Sequence, residues 1–164
     1  MIVRLSKCVL LAGVALYFTL VAFNNITDYD SNFQFVRHVL MMDSTLPNNR
    51  AMWRAINTPI IHTLFYLSII GWETITAILS WWGTIQLFRS RHAPAPIFHR
   101  AKTIPIAALT LGFLLWFVAF LCIGGEWFLM WQSKTWNGQE AAFRMFTVLG
   151  IILLYISLPE HEPA

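Results

Sequence analysis

Three residues whose side chains could do chemistry lie in one long apolar stretch: His62, Tyr66 and Glu73. Their spacing places them on one face of a helix. Glu73 is the only formal charge between residues 55 and 88. If this stretch spans a membrane, an ionised carboxylate near its middle costs about 2.5–3.5 kcal/mol even on lenient scales. We therefore expect Glu73 to be neutral and hydrogen-bonded, or exposed to water.

Two interpretations of Glu73 follow from this expectation. In the first, Glu73 is a proton, cation or quinone-headgroup site, with His62 and Tyr66 on the same polar stripe. In the second, it is a protonated carboxyl that holds helices together. A polar stripe on a spanning helix faces neighbouring helices or a wet cavity in either case, so the sequence leaves both interpretations open.

We expect no cofactor or metal. A b-type haem in a helix bundle usually needs two axial histidines on facing helices, and His62 is the only histidine in an apolar segment. The other histidines lie in connecting segments or the C-terminal tail: His38, His92, His99 and His161. No close cluster of His, Cys, Asp or Glu is present for a metal ion. Catalytic triads, phosphate loops and nucleic-acid motifs are also lacking, so we expect no nucleic-acid partner and lean towards a non-enzyme.

The composition indicates a membrane protein. Apolar residues make up 57% of the chain and charged residues 12%, whereas soluble domains have roughly 25% charged residues. The mean hydropathy is +0.60. A single domain of 164 residues has too much surface to keep all these apolar side chains from water. We therefore predict an all-α, polytopic membrane protein, a bundle of four transmembrane helices.

Four apolar segments are long enough to cross roughly 30 Å of hydrocarbon. We place the spans at about residues 8–27, 57–88, 104–131 and 140–158, with an outer loop at 28–56 and a cytoplasmic loop at 89–103. The first segment is too long for a signal peptide and ends in a poor cleavage site, so we expect it to be retained. Apolar residues at helical spacing over 33–42 predict a short amphipathic helix in the first outer loop.

Basic residues set the predicted orientation. The N-terminal segment and the 89–103 loop contain no acid and carry Arg4, Lys7, Arg89, Arg91, Arg100 and Lys102. Lys and Arg in short loops are retained in the cytoplasm. We therefore predict that both termini are cytoplasmic.

The turn between the third and fourth spans has an acid and a base at matching depth, Glu126 and Arg144. At the α-helical rise of about 1.5 Å per residue, each lies about 7.5 Å from the turn. We predict a direct, structural ion pair. The alternative is that Arg144 holds a lipid headgroup or a partner's acid while Glu126 accepts backbone hydrogen bonds. Three tryptophans are predicted to anchor this region at the membrane interface: Trp127, Trp131 and Trp136.

Several short motifs are spread along the chain. They are Asn24-Asn-Ile-Thr-Asp-Tyr29, Trp53-Arg-Ala55, Gly124-Gly-Glu-Trp-Phe-Leu-Met-Trp-Gln-Ser133, Trp136-Asn-Gly138 and Ala142-Phe-Arg144. In these motifs the chain resembles the bacterial family of predicted small integral membrane proteins called domain of unknown function 2165. The resemblance covers nearly the whole chain. It implies a four-helix protein of the bacterial inner membrane and implies no reaction.

Two classes of function remain. The first is an accessory or assembly subunit of a larger membrane complex, such as a respiratory complex, which the small size and the ordered outer loop favour. The alternative is a small transporter, or a quinone- or proton-interacting protein that works through Glu73. Four helices form a narrow bundle, so transport would need an oligomer. Besides the lipid bilayer, we expect a protein partner or a homo-oligomer in the membrane.

Overall fold

The computed structural model describes residues 1–160, and the predicted polar tail from His161 onwards lies outside the described residues. The α-helices are α1 (Ile2–Thr27), α2 (Tyr29–Met41), α3 (Pro59–Ser90), α4 (Ala95–Arg100), α5 (Thr103–Leu114) and α6 (Gln139–Ser157). A π-helical segment, Leu115–Trp127, continues α5. Single 3-10 turns lie at Met52–Arg54 and Met130–Gln132. The described residues contain no β-strand.

Four helical stretches are long and apolar enough to cross a membrane: Ile2–Thr27, Pro59–Ser90, Ala95–Trp127 and Gln139–Ser157. The third combines α4, α5 and the π-helical segment. The longest, α3, has 32 residues and measures about 48 Å, more than the roughly 30 Å of the hydrocarbon layer. The prediction of an all-α bundle of four transmembrane helices is confirmed.

Different segments of the chain lie at the two ends of the helix bundle. At one end, Arg4 donates a hydrogen bond to the Arg91 carbonyl oxygen, and Lys7 donates one to the Leu158 carbonyl oxygen. The N-terminus, the connection between α3 and α4, and the residues after α6 therefore meet there, and we call it the terminal end. The opposite end carries α2 and both 3-10 turns, and we call it the capped end.

The core of the bundle forms where α1 packs against α3, and α5 against α3 and α6. Phe18 of α1 is fully buried at its centre. A Cβ atom at Gly112 of α5 would lie only 2.8 Å from Phe18 Cε2, so glycine allows α5 to approach the ring. Further buried core residues are Leu11, Leu109, Leu115, Leu149 and Ile156. Helix α1 is thus part of the packed bundle.

Helix α2 closes the capped end. The structure confirms a helix in the loop after the first span, and Val39 and Leu40 of this helix are buried. Phe35 stacks on Phe120 of the π-helical segment, with ring centroids 6.4 Å apart. A second apolar cluster joins α2 to the Met130–Gln132 turn. The amphipathic face of α2 is therefore covered by the bundle itself.

Candidate functional site

Glu73 lies near the midpoint of α3 and is only 1% exposed. Asn25, near the end of α1, donates a hydrogen bond from Nδ2 to Glu73 Oε2 over 2.7 Å. Tyr66, two turns earlier in α3, donates from its hydroxyl to the Asn25 carbonyl oxygen over 2.8 Å. No Lys or Arg within the described residues forms an ion pair with Glu73. The polar partner of this carboxyl is therefore a neutral amide.

Glu73 lines a cavity of about 260 Å³ beneath α2. All four membrane-crossing stretches and α2 contribute to its wall. Its polar lining residues are Asn25, Asn32, Tyr66, Glu73 and Trp116, and its apolar ones include Val21, Phe35, Val36, Ile69 and Phe120. A few polar groups among apolar and aromatic side chains are typical of small-molecule sites.

Trp116 lines the same cavity and carries an unpaired hydrogen-bond donor. This residue is 8% exposed, and its indole Nε1 has no hydrogen-bond partner among residues 1–160. The ring is held in place by Phe120, whose centroid is 4.7 Å away. A buried donor without an acceptor costs roughly 1–3 kcal/mol. An acceptor atom within hydrogen-bonding distance of Nε1 would remove this cost.

A second, almost entirely apolar cavity of about 240 Å³ adjoins the first. The two share Phe35, Val36, Ile69 and Phe120 in their linings. Phe65 and Trp72 also line the second cavity and are partly exposed on the surface of α3. Together the two cavities reach the size range of small-molecule sites, roughly 300–1,000 Å³.

Comparison with known proteins gives the family. The family model of predicted small integral membrane proteins, DUF2165, matches residues 3–159. The chain belongs to this family. The resemblance inferred from the sequence motifs is thereby confirmed, and the DUF2165 description agrees with the four apolar helices of the structure. No curated protein and no solved structure matches the chain.

His62 of this DUF2165 protein is separate from the Glu73 cavity. It is buried, and its Nε2 donates a hydrogen bond to the Ile56 carbonyl oxygen over 2.8 Å. This bond ties the connection before α3 to the first turn of that helix. Of the candidate residues from the sequence, the structure brings Glu73 and Tyr66 into one cavity and leaves His62 outside its lining. Within residues 1–160, no three potential metal-binding side chains come together.

The predicted ion pair between Glu126 and Arg144 is not formed, which corrects that expectation. Neither residue forms a salt bridge within the described part of the chain, and both are exposed. The prediction assumed α-helical geometry up to the turn. Residues 115–127 are instead π-helical, with hydrogen bonds from residue i to i+5. The rotation and rise per residue of a π-helix differ from those of an α-helix, so the matching positions that the prediction assumed do not apply.

The three predicted anchor tryptophans lie at the capped end in different surroundings. Trp127 and Trp131 are exposed. Trp136 is partly covered and stacks on His38 of α2, with ring centroids 4.7 Å apart. Trp136 therefore helps to fix α2 to the bundle.

Two residues of the Glu73 cavity were missed by the sequence analysis, Asn25 and Trp116. For Asn25 a signal existed, because the Asn24-Asn25 pair ends an apolar segment close to the membrane interface. For Trp116 no signal existed, since nothing in the local sequence distinguishes it from the other tryptophans. The position of Trp116 in the cavity wall depends on which side of the π-helical segment faces the bundle.

Proposed function

We propose that this protein binds a small lipid-soluble molecule that carries hydrogen-bond-accepting oxygens, such as a quinone, in the Glu73 cavity. The observation that supports the proposal best is that Trp116, whose Nε1 donor is unpaired, and Glu73 line one cavity. An apolar molecule without an oxygen would leave that donor unsatisfied. A freely soluble anion would gain little from the apolar remainder of the wall.

Four polar residues of the cavity have distinct parts in this proposal. Trp116 donates its indole N–H to one oxygen of the ligand. Glu73 has a neutral hydrogen-bond partner and lies in a membrane-spanning helix, where the protonated carboxyl is the cheaper form. In that form it can donate its own proton to an oxygen of the ligand. Asn25 and Tyr66 hold the carboxyl in position.

The adjoining apolar cavity supports a ligand that arrives from the bilayer. Phe65 and Trp72 are 39% and 36% exposed on the surface of α3 and line this cavity. A ring or chain of apolar carbons would fill it and remain in contact with lipid. This arrangement favours a lipid-soluble molecule over a water-soluble one.

Analysis of co-purified molecules tests the proposal. The protein is purified from native membranes in mild detergent, and a solvent extract is examined by mass spectrometry. We expect a quinone or a similar oxygen-bearing lipid in near-stoichiometric amount in the wild type and much less of it in Trp116→Phe. Trp82→Phe, which changes a membrane-exposed tryptophan, is the matched control. Equal amounts in all three proteins would refute the proposal.

A second candidate function is that of an accessory subunit of a larger membrane complex. It is supported by a group of Arg54 and two tryptophan rings at the capped end. The Arg54 guanidinium carbon lies 5.3 Å from the Trp53 ring centroid and 4.7 Å from that of Trp127, and Trp53 is 73% exposed. Trp and Arg are enriched at the energetic centres of protein interfaces. A large partner that co-purifies with the wild type and is lost in Trp53→Ala would support this candidate.

We also propose that the protein lies in the bacterial inner membrane with both termini in the cytoplasm. The proposal is supported by the basic residues of the terminal end, Arg4, Lys7, Arg89, Arg91, Arg100 and Lys102, because Lys and Arg of short loops are retained on the cytoplasmic side. Reporter fusions at Pro94, at the terminal end, and at Asn48, at the capped end, should report opposite compartments, with Pro94 cytoplasmic. A periplasmic signal from the Pro94 fusion would contradict the proposed orientation.

A further inference from the structure

The terminal end holds a buried cluster of charged side chains around Glu160. Lys7 Nζ and Lys102 Nζ lie 2.5 and 2.8 Å from Glu160 Oε1, and Arg4 Nε lies 3.5 Å from Glu160 Oε2. Both lysines are 1% exposed and also donate to the Leu158 carbonyl oxygen. The cluster joins α1, the start of α5 and the residues that follow α6.

Positive charge exceeds negative charge in this cluster. Within the described residues, three cations surround the single carboxylate of Glu160. Burial alone raises the pKa of Glu160, but the hydrogen bonds and charges of Lys102 and Lys7 outweigh burial and lower it to about 2. Glu160 is therefore ionised at neutral pH. It compensates only one of the three positive charges, and uncompensated buried charge is costly.

A cavity of about 840 Å³ lies beside the cluster. Arg4, Arg91 and His92 line it together with Glu160, and the rest of its wall is mainly apolar, including Met1, Val3, Pro94, Ala95 and Pro159. Arg4 and Arg91 are fixed in place, because Arg4 donates to the Arg91 and Ala93 carbonyl oxygens and Arg91 to that of Phe88. Two positioned arginines thus line a space at the end of the spanning helices.

We infer that this cavity binds a phosphate-bearing anion. Guanidinium groups form strong charge-assisted hydrogen bonds with phosphate oxygens, and a phosphate would supply the negative charge that the cluster lacks. Basic pockets between the ends of transmembrane helices are a known way to hold anionic lipid headgroups. The apolar part of the wall suits the glycerol and upper chain of such a lipid. A free phosphate ion would share the same polar contacts.

Native mass spectrometry with defined lipids tests the inference. The purified protein is mixed with equal amounts of phosphatidylglycerol and phosphatidylcholine, and the ratio of the two bound lipids is measured. Arg91→Gln removes one cavity charge without touching the ion pairs of Glu160, so the variant should fold and melt like the wild type in detergent alone. Arg100→Gln is the matched control, because Arg100 carries the same charge at the same end, is exposed and does not line the cavity.

The expected result is a preference for phosphatidylglycerol that falls roughly fivefold in Arg91→Gln, as for one lost basic contact, and is unchanged in Arg100→Gln. A parallel melting experiment with inorganic phosphate separates the two sources. Stabilisation by inorganic phosphate with the same dependence on Arg91, and without a lipid preference, supports a free anion. Equal effects of the two substitutions would overturn the inference, because Arg91 would then act only through the general surface potential. No effect of either substitution would also overturn it.

Discussion

Asn25 and Glu73 are joined by a 2.7 Å hydrogen bond between α1 and the middle of α3. The bond links residues that are far apart in the sequence, and it occurs at the wall of the largely apolar cavity beneath α2. Its donor is a neutral amide. In the proposed function, a carboxyl held in this way is available to a ligand or to a proton.

The first prediction concerns this bond. In Glu73→Gln, the new side-chain carbonyl can still accept from Asn25 Nδ2, so we expect a melting temperature in detergent close to that of the wild type. In Asn25→Leu, the Glu73 carboxyl loses its partner inside the bundle, which should cost roughly 1–3 kcal/mol. Thermal unfolding of both variants checks this. A severely unstable Glu73→Gln protein would show that the carboxyl is ionised and paired.

The second prediction concerns the contact between α1 and α5. A Cβ atom in Gly112→Ala would lie 2.8 Å from the buried Phe18 ring, and such overpacking costs roughly 1–3 kcal/mol. Gly71→Ala is the matched control, because a Cβ there meets no described atom within 4 Å and alanine has the higher helix propensity. We expect a lower melting temperature for Gly112→Ala only. Equal melting temperatures would mean that Phe18 can move aside.

The sequence was sufficient for the fold because long apolar runs require membrane-spanning helices. Glu73 could be selected because a lone carboxyl in such a run is costly. Which faces of the helices contact one another could not be predicted in the same way. The partnership of Asn25 with Glu73 is a contact between distant segments, and the missing Glu126–Arg144 pair depends on the change from α- to π-helix after Leu114.

The basic cluster at the terminal end is a second example of contacts between distant segments that the sequence did not predict. Arg4, Lys7 and Lys102 were interpreted only as a signal for orientation. Glu160, in the polar tail, gave no local sign that it would fold back between them. Its capture depends on the packing of three helices, which no short sequence window contains.

The third prediction concerns Glu160. Glu160→Gln leaves Arg4, Lys7 and Lys102 without their carboxylate, and breaking such a buried group typically costs about 3–5 kcal/mol. Glu126→Gln, at an exposed carboxylate without an ion pair in the described part of the chain, should change stability by less than about 0.5 kcal/mol. Thermal unfolding in detergent compares the two. Similar small effects would mean that the Glu160 cluster adds little to stability.

The fourth prediction is a dependence on acid pH. The pKa of Glu160 is lowered from 4.5 to about 2 in the folded protein. A carboxyl whose pKa falls on folding stabilises the folded state above its unfolded-state pKa, and this stabilisation is lost as the pH falls through the folded-state value. We therefore expect the melting temperature to fall between about pH 4.5 and pH 2. The fall should be smaller in Glu160→Gln, and an identical fall in both proteins would assign it to other groups.

The fifth prediction tests the central claim, that Trp116 donates its indole N–H to an oxygen of a lipid-soluble ligand. The protein is labelled with ¹⁵N in its eight tryptophan side chains, and the Trp116 signal is assigned by its loss in Trp116→Phe. A benzoquinone with a short alkyl tail is then added, with an alkane of equal chain length as the control. We predict that the quinone shifts the Trp116 indole resonance downfield and that the alkane does not. An unmoved Trp116 resonance, or equal shifts with quinone and alkane, would contradict the account.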